Sequence, residues 1–226
     1  MRHLKLLIIM VIAVLFAACI LWAGNIEPPS LKKGIAYGRE KKYVQAVREF
    51  SGVIKTEPAN AAAYYNRGLI YYRQEKLNEA ISDFTRAAEL RPAYFQAIFN
   101  RGTAFLKTAD YEAAIRDFTL AIVLQPSVED PYLNRAKAYK ETRQLNKAIA
   151  DYDAVLNLHP DSTDALYSKG IVYSLQGNLD TAIENYTQAL AFNPGDKMAY
   201  YQRALAWQKK GNFTRARSDL LNMAAA

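Results

Sequence analysis

The chain has 226 residues, 51% hydrophobic, with 29 basic and 22 acidic side chains and a formal charge of +7, of which Arg2 and Lys5 supply two units. The remaining excess is mild, spread along the chain and interleaved with acids, so no basic stripe tracks phosphates and nucleic acid is not the expected partner. A single cysteine, Cys19, excludes an intrachain disulfide, and two histidines, His3 and His159, are too few and too isolated for a catalytic or metal-binding set.

Residues 1–26 stand apart from the rest of the chain. Arg2 and Lys5 precede an uncharged apolar run from Leu6 to Gly24. A basic start and an apolar stretch make a secretory signal, and about 20 apolar residues also suffice for a spanning helix. The sequence Leu15-Phe16-Ala17-Ala18-Cys19 resembles a bacterial lipoprotein signal, in which cleavage before the cysteine leaves a thiol that is lipidated. Cys19 is the lipidation candidate under that resemblance. An uncleaved anchor helix and a cleaved export signal are the other two readings. All three keep the chain at or beyond a membrane, and the positive start predicts that the rest faces the exported side. Glu27-Pro28-Pro29-Ser30 then marks a boundary, with Ser30 placed to cap the first helix.

From Glu27 onward a block of 34 residues recurs six times, at 27–60, 61–94, 95–128, 129–162, 163–196 and 197–226. Position 8 of the block is Gly34, Gly68, Gly102, Ala136, Gly170 and Ala204. Position 20 is Ala46, Ala80, Ala114, Ala148, Ala182 and Ala216. Position 11 is aromatic throughout, from Tyr37 to Trp207, and position 24 carries Phe50, Phe84, Phe118, Tyr152, Tyr186 and Leu220. Pro58, Pro92, Pro126, Pro160 and Pro194 recur at position 32. Small residues let two helices approach, rings fill the space beside them, and proline stops the second helix. Each block therefore predicts two helices joined by a turn, and one such hairpin must stack on its neighbours to bury its apolar face. This pattern resembles the tetratricopeptide repeat family. The resemblance implies an all-α, right-handed superhelical solenoid of six helix-turn-helix repeats over residues 27–226, preceded by a hydrophobic helix.

Two rows of polar residues run through the repeats. Position 7 is Lys33, Arg67, Arg101, Arg135, Lys169 and Arg203; position 23 is Glu49, Asp83, Asp117, Asp151, Asn185 and Asp219. This co-occurrence predicts a ladder of pairs between first and second helices, with structural rather than ligand-binding purpose. Position 6 places Asn66, Asn100 and Asn134 in succession. In related arrays such amides line the inner groove and hydrogen-bond an extended peptide, which two donors and an acceptor suit well. Positions 5, 9 and 12, which face the concave side in the family, add Tyr65, Leu69, Tyr72, Phe99 and Leu106, with Lys137 and Lys140 as a basic spot. Packing between helices is the competing reading for the rings at position 5.

The resemblance implies a groove for peptide segments of other proteins. The carboxylate clamp of chaperone-binding family members needs Lys at position 5 and Asn or Arg at position 9, and this chain has neither. No nucleophile–base set, metal-ligand spacing or glycine-rich phosphate loop appears, so no enzymatic activity, cofactor, metal or small-molecule substrate is expected. At the carboxyl end, position 21 changes from Val47, Ile81, Ile115, Ile149 and Ile183 to Arg217, which predicts a polar, exposed final face. The expected function is a membrane-tethered scaffold that helps to assemble an envelope complex. A structural or self-associating adaptor is the alternative.

Overall fold

The structure, a computed structural model, describes residues 29–226, which form twelve α-helices arranged as six hairpins. The hairpins are α1 (Leu31–Arg39) with α2 (Tyr43–Thr56), α3 (Ala61–Arg73) with α4 (Leu77–Leu90), and α5 (Phe95–Lys107) with α6 (Tyr111–Leu124). They continue as α7 (Glu129–Glu141) with α8 (Leu145–Leu158), α9 (Thr163–Leu175) with α10 (Leu179–Phe192), and α11 (Lys197–Lys209) with α12 (Phe213–Ala225). Each second helix then packs on the first helix of the next hairpin, giving a solenoid. The amino-terminal segment with Cys19 lies outside the described residues. No helix among the described residues is long and apolar enough to cross a membrane.

The close approach within a hairpin explains the small residues. A Cβ placed on Gly34 would lie 2.5 Å from the Phe50 ring, and one on Gly170 would lie 2.5 Å from the Tyr186 ring. Gly68 and Gly102 stand against Phe84 and Phe118 in the same way. The rings of Phe50, Phe84, Phe118, Tyr152 and Tyr186 are completely enclosed, and the alanines at position 20 are buried beside them. Two of the enclosed rings carry hydroxyls. Burial pushes the pKa of Tyr152 and of Tyr186 up to about 12. The Tyr186 hydroxyl lies 3.3 Å from that of Ser174.

Every hairpin turns through the same backbone device. The residue at position 15 has positive φ in all six repeats: Lys41, Glu75, Ala109 and Arg143 near 60°, then Gly177 at 81° and Gly211 at 76°. The N–H of the next residue donates to the carbonyl of the aromatic at position 11, as in Lys42 to Tyr37 at 2.9 Å and Asn212 to Trp207 at 2.9 Å. The N–H at position 15 donates to position 12, as in Lys41 to Gly38 at 3.3 Å. These paired bonds satisfy the last carbonyls of the first helix. Asn60, Asp110, Asn178, Asp196 and Asn212 cap the helices that come after them by accepting backbone N–H bonds. Ser30 stands at the cap position of α1 without a side-chain cap bond; its N–H donates to the Glu49 carboxylate at 2.9 Å instead.

First helices of consecutive repeats touch one another directly, α1 with α3, α5 with α7 and α9 with α11, and no consecutive pair of second helices does so to the same extent. The first helices therefore lie on the inner side of the array. At the far end α12 has no successor among the described residues. Arg217 is exposed where Ile183 is buried and Val47, Ile81, Ile115 and Ile149 are half-covered, as the sequence predicts.

Candidate functional site: the inner face of the first helices

The polar ladder forms, and it takes its members out of the binding inventory. Arg67 makes two parallel bonds to Asp83, Nε to Oδ2 and Nη2 to Oδ1, both 2.8 Å. Arg101 with Asp117, Arg135 with Asp151, and Arg203 with Asp219 repeat this geometry at 2.7–2.9 Å. Asp83, Asp117, Asp151 and Asp219 are buried. The hydrogen bonds to Asp83 outweigh desolvation and raise the pKa of Arg67. The remaining guanidinium arm reaches back to position 25 of the preceding repeat: Ser51 at 3.0 Å, Thr85 at 3.3 Å, Thr119 at 2.9 Å and Thr187 at 3.0 Å. One arginine thus ties its own two helices together and both to the previous hairpin. Among the described residues no buried side-chain nitrogen or oxygen lacks a partner. A ligand must therefore be met by the groups that remain accessible.

On the inner face, Asn66 and Leu69 stand together. They line a small cleft of about 130 Å³ between α1 and α3, with Ile35, Gly38, Arg39 and Arg73 beside them. Asn66 donates one amide hydrogen to the Ala62 carbonyl at 2.7 Å, one turn back in its own helix. Asn100 does the same to Gln96 at 2.8 Å, and its amide also lies 3.2 Å from the Tyr65 hydroxyl. Asn134 accepts a 3.5 Å bond from Lys137. The three amides are half-buried, each with capacity left over, and all three are partly engaged within their own helix.

The rings at position 5 pack on the second helix of their own hairpin, and Tyr65 also on the cap residue of α5 in the next. Tyr65 lies 5.9 Å from Phe84 and 5.0 Å from Tyr94, and burial raises the Tyr65 pKa. Phe99 lies 5.9 Å from both Phe95 and Phe118. The Tyr65 and Phe99 rings are both half-buried. Tyr72 is half-buried beneath the ammonium of Lys107, 5.0 Å from the ring centre, and Leu106 is half-buried. Lys137 is exposed, and Lys140 is paired with Glu141 at 3.2 Å.

Sequence reasoning missed a row at position 13. Arg39, Arg73 and Lys107 are the last residues of α1, α3 and α5, and all three are exposed. Arg73 leans back to the Gly38 carbonyl at 3.5 Å, and Lys107 leans back to Glu75 at 2.8 Å. The register of the repeat carried the signal, because three consecutive copies hold a cation there.

The described residues contain no group of histidine, cysteine, aspartate or glutamate placed to hold a metal ion. Three sequence models described as tetratricopeptide repeat match the chain, one at 61–94 and 163–196, one at 95–128 and one at 132–162. No curated protein matches the sequence. Among solved structures, a tetratricopeptide repeat protein from Parabacteroides merdae superposes with a TM-score of 0.75 at 24% identity, covering 84% of this chain and 75% of that one. MamA superposes with a TM-score of 0.67 at 22% identity, covering 70% and 92%. YrrB, described as a TPR protein with an unusual peptide-binding site, gives 0.64 at 20% identity, covering 77% and 90%. These likenesses are of fold. The helices, the repeated residues and the family models together cover most of the chain, which belongs to the tetratricopeptide repeat family.

Proposed function

We propose that this protein is a membrane-tethered interaction scaffold that holds peptide segments of partner proteins against its inner face, in the assembly of an envelope complex. The observation that carries this reading is the division of labour among its polar groups. The position 7 and 23 ladder is closed on itself, whereas the inner face keeps half-buried amides at Asn66, Asn100 and Asn134 and exposed cations at Arg39, Arg73 and Lys107. The described peptide site of YrrB, a fold neighbour, supports the same use of the fold. In this reading residues 27–226 are the binding array and residues 1–26 the signal or anchor, with Cys19 the lipidated residue if the lipoprotein form is the true one. The array then lies on the exported side. It acts without catalysis, through protein contacts alone.

Two experiments test it. Affinity capture with the full-length, detergent-solubilised chain should retain partners that are lost when Asn66, Asn100 and Asn134 are changed together to alanine. Equal capture by both would move the contact off the inner face. Lipid labelling should disappear with Cys19→Ser and leave an uncleaved precursor. A wild type of unchanged size with no label would leave the anchor helix.

A second reading has its own observation. Phe213, Leu220 and Leu221 on α12 are 67%, 43% and 62% exposed, whereas the counterparts of Leu220 in the other repeats are enclosed. An adaptor that associates through this end would expose such a surface. Sedimentation decides between them: a dimer broken by Leu221→Glu favours the adaptor, and a monomer favours the inner face.

A further inference from the structure

The inner face is not uniform along its length. On the first helices of repeats one to four the exposed charges are mostly cations, five against the acids Asp130 and Glu141. Arg39, Arg73 and Lys107 end three successive first helices, with Lys32 and Lys137 exposed beside them. The apolar residues of that half, Tyr65, Leu69, Tyr72, Phe99 and Leu106, are all half-buried. Of the nearby acids, Glu75 holds Lys107 at 2.8 Å and Glu141 holds Lys140 at 3.2 Å, which leaves Arg39, Arg73, Lys32 and Lys137 as the cations of this half. In repeats five and six exposed apolar side chains appear as well, beside the exposed Lys197 and Lys209 of α11. Leu175, Met198 and Tyr201 are 46%, 55% and 40% exposed. Every large apolar residue exposed to this degree on a described first helix lies in those two repeats. They occupy positions 13, 2 and 5, and Ile171 and Leu205 at position 9 continue the same helix faces.

We infer that the groove is bipartite. Its occupant is an extended segment of a partner protein with acidic side chains over repeats one to four and apolar side chains over repeats five and six. The inference rests on reading the inner face as a peptide site and adds the chemistry of the peptide. Charge complementarity decides the first half, because exposed cations such as Arg39 and Lys137 favour carboxylates and disfavour basic segments. The second half presents apolar anchors around which water is excluded. A nucleic-acid strand fits the first half but has nothing to offer the second.

The test uses the full-length protein in detergent and two synthetic peptides of identical composition. One has its glutamates at one end and its leucines and phenylalanines at the other; the second has the same residues interleaved. The blocked peptide should bind about tenfold more tightly, and its affinity should fall as salt rises. Arg39→Glu with Arg73→Glu should abolish that advantage, and a blocked peptide with lysines in place of glutamates should then bind the variant better than the wild type. This rescue also shows that the variant is folded. Leu175→Ser with Met198→Ser should weaken the blocked peptide without changing its salt dependence. Equal binding of the two peptides, or binding of neither, overturns the bipartite groove. The capture experiment with the asparagine variant stands or falls separately, so the two failures are distinguishable.

Discussion

The junction between repeats three and four and the junction between repeats four and five solve the same problem with the charge in different places. At the first, Arg135 forks onto the buried Asp151 of its own repeat and touches the neutral Thr119 behind it. At the second, position 25 of the preceding repeat is an acid. Asp153 pairs with Lys169 at 2.5 Å. Position 23 has become Asn185, buried, with its amide turned back to the Thr181 carbonyl at 2.8 Å. The carboxylate has moved from the inside of one hairpin to the rim of its neighbour, where Asp153 is 49% exposed against 7% for Asp151. A planar guanidinium suits the two-pronged, enclosed site, and a compact ammonium suits a single rim carboxylate. Positions 7, 23 and 25 therefore vary as a set, so a change at one is understood only with the other two.

The largest expected effect comes from breaking the enclosed pair. Asp117→Ala leaves the Arg101 guanidinium partly buried without its carboxylate and should cost about 3 kcal/mol, read by urea unfolding. Asp153→Ala at the exceptional junction should cost less, about 1 kcal/mol, because Asp153 is half exposed and the Lys169 ammonium it leaves behind is on a flexible stem. Similar losses at both sites would erase the contrast. The triple change Lys169→Arg, Asp153→Thr and Asn185→Asp, which rewrites the odd junction in the common form, should recover stability to within about 1 kcal/mol of wild type, although Asn185→Asp alone should be clearly destabilising.

Gly68→Ala comes next. Its Cβ would meet the enclosed Phe84 ring at 2.8 Å, and such overpacking costs about 1–3 kcal/mol. Repeats four and six carry Ala136 and Ala204 at this position.

The remaining changes are smaller or lie at the edge of the pH range. Ala109 holds a φ of 61° in an exposed turn, and Ala109→Gly should stabilise the chain by about 1 kcal/mol by removing left-handed strain. Tyr152 and Tyr186 have pKa values raised from 10.0 to about 12 in the folded chain. Their contribution is therefore complete below pH 10 and is lost as pH rises towards 12. The double Phe variant should lose less stability than wild type across that window, measured by chemical unfolding at stepped pH.

The repeat made most of the architecture legible. Gly68, Ala80 and Phe84 specify one closely packed hairpin, and their recurrence specifies the stack. The pairing of Arg67 with Asp83 could be expected from two rows that change together. Its reach to Ser51 could not, because that contact joins neighbouring repeats through the third arm of the fork. The turn was hidden for a different reason. Glycine at Gly177 and Gly211 signals positive φ, but Lys41, Glu75, Ala109 and Arg143 adopt the same backbone without any such sign, held by the bonds to the position 11 and 12 carbonyls. The residues expected to line a groove do stand on first helices, but their surroundings differ from one to the next. The rings of Tyr65 and Phe99 are used in packing between helices, and the amides of Asn66 and Asn100 are partly taken up by carbonyls one turn back. Local hydrogen bonding of that kind depends on rotamers, which the spacing of residues does not encode.

The central claim is that partners lie on the inner face. Photo-crosslinking from single benzoylphenylalanine substitutions tests it most directly, with Leu69 and Ile171 inside and with Val44 and Val123, 78% and 72% exposed, on second helices outside. Partner adducts from the two inner sites and none from the outer pair are the predicted result. Adducts confined to Val44 and Val123 would contradict it.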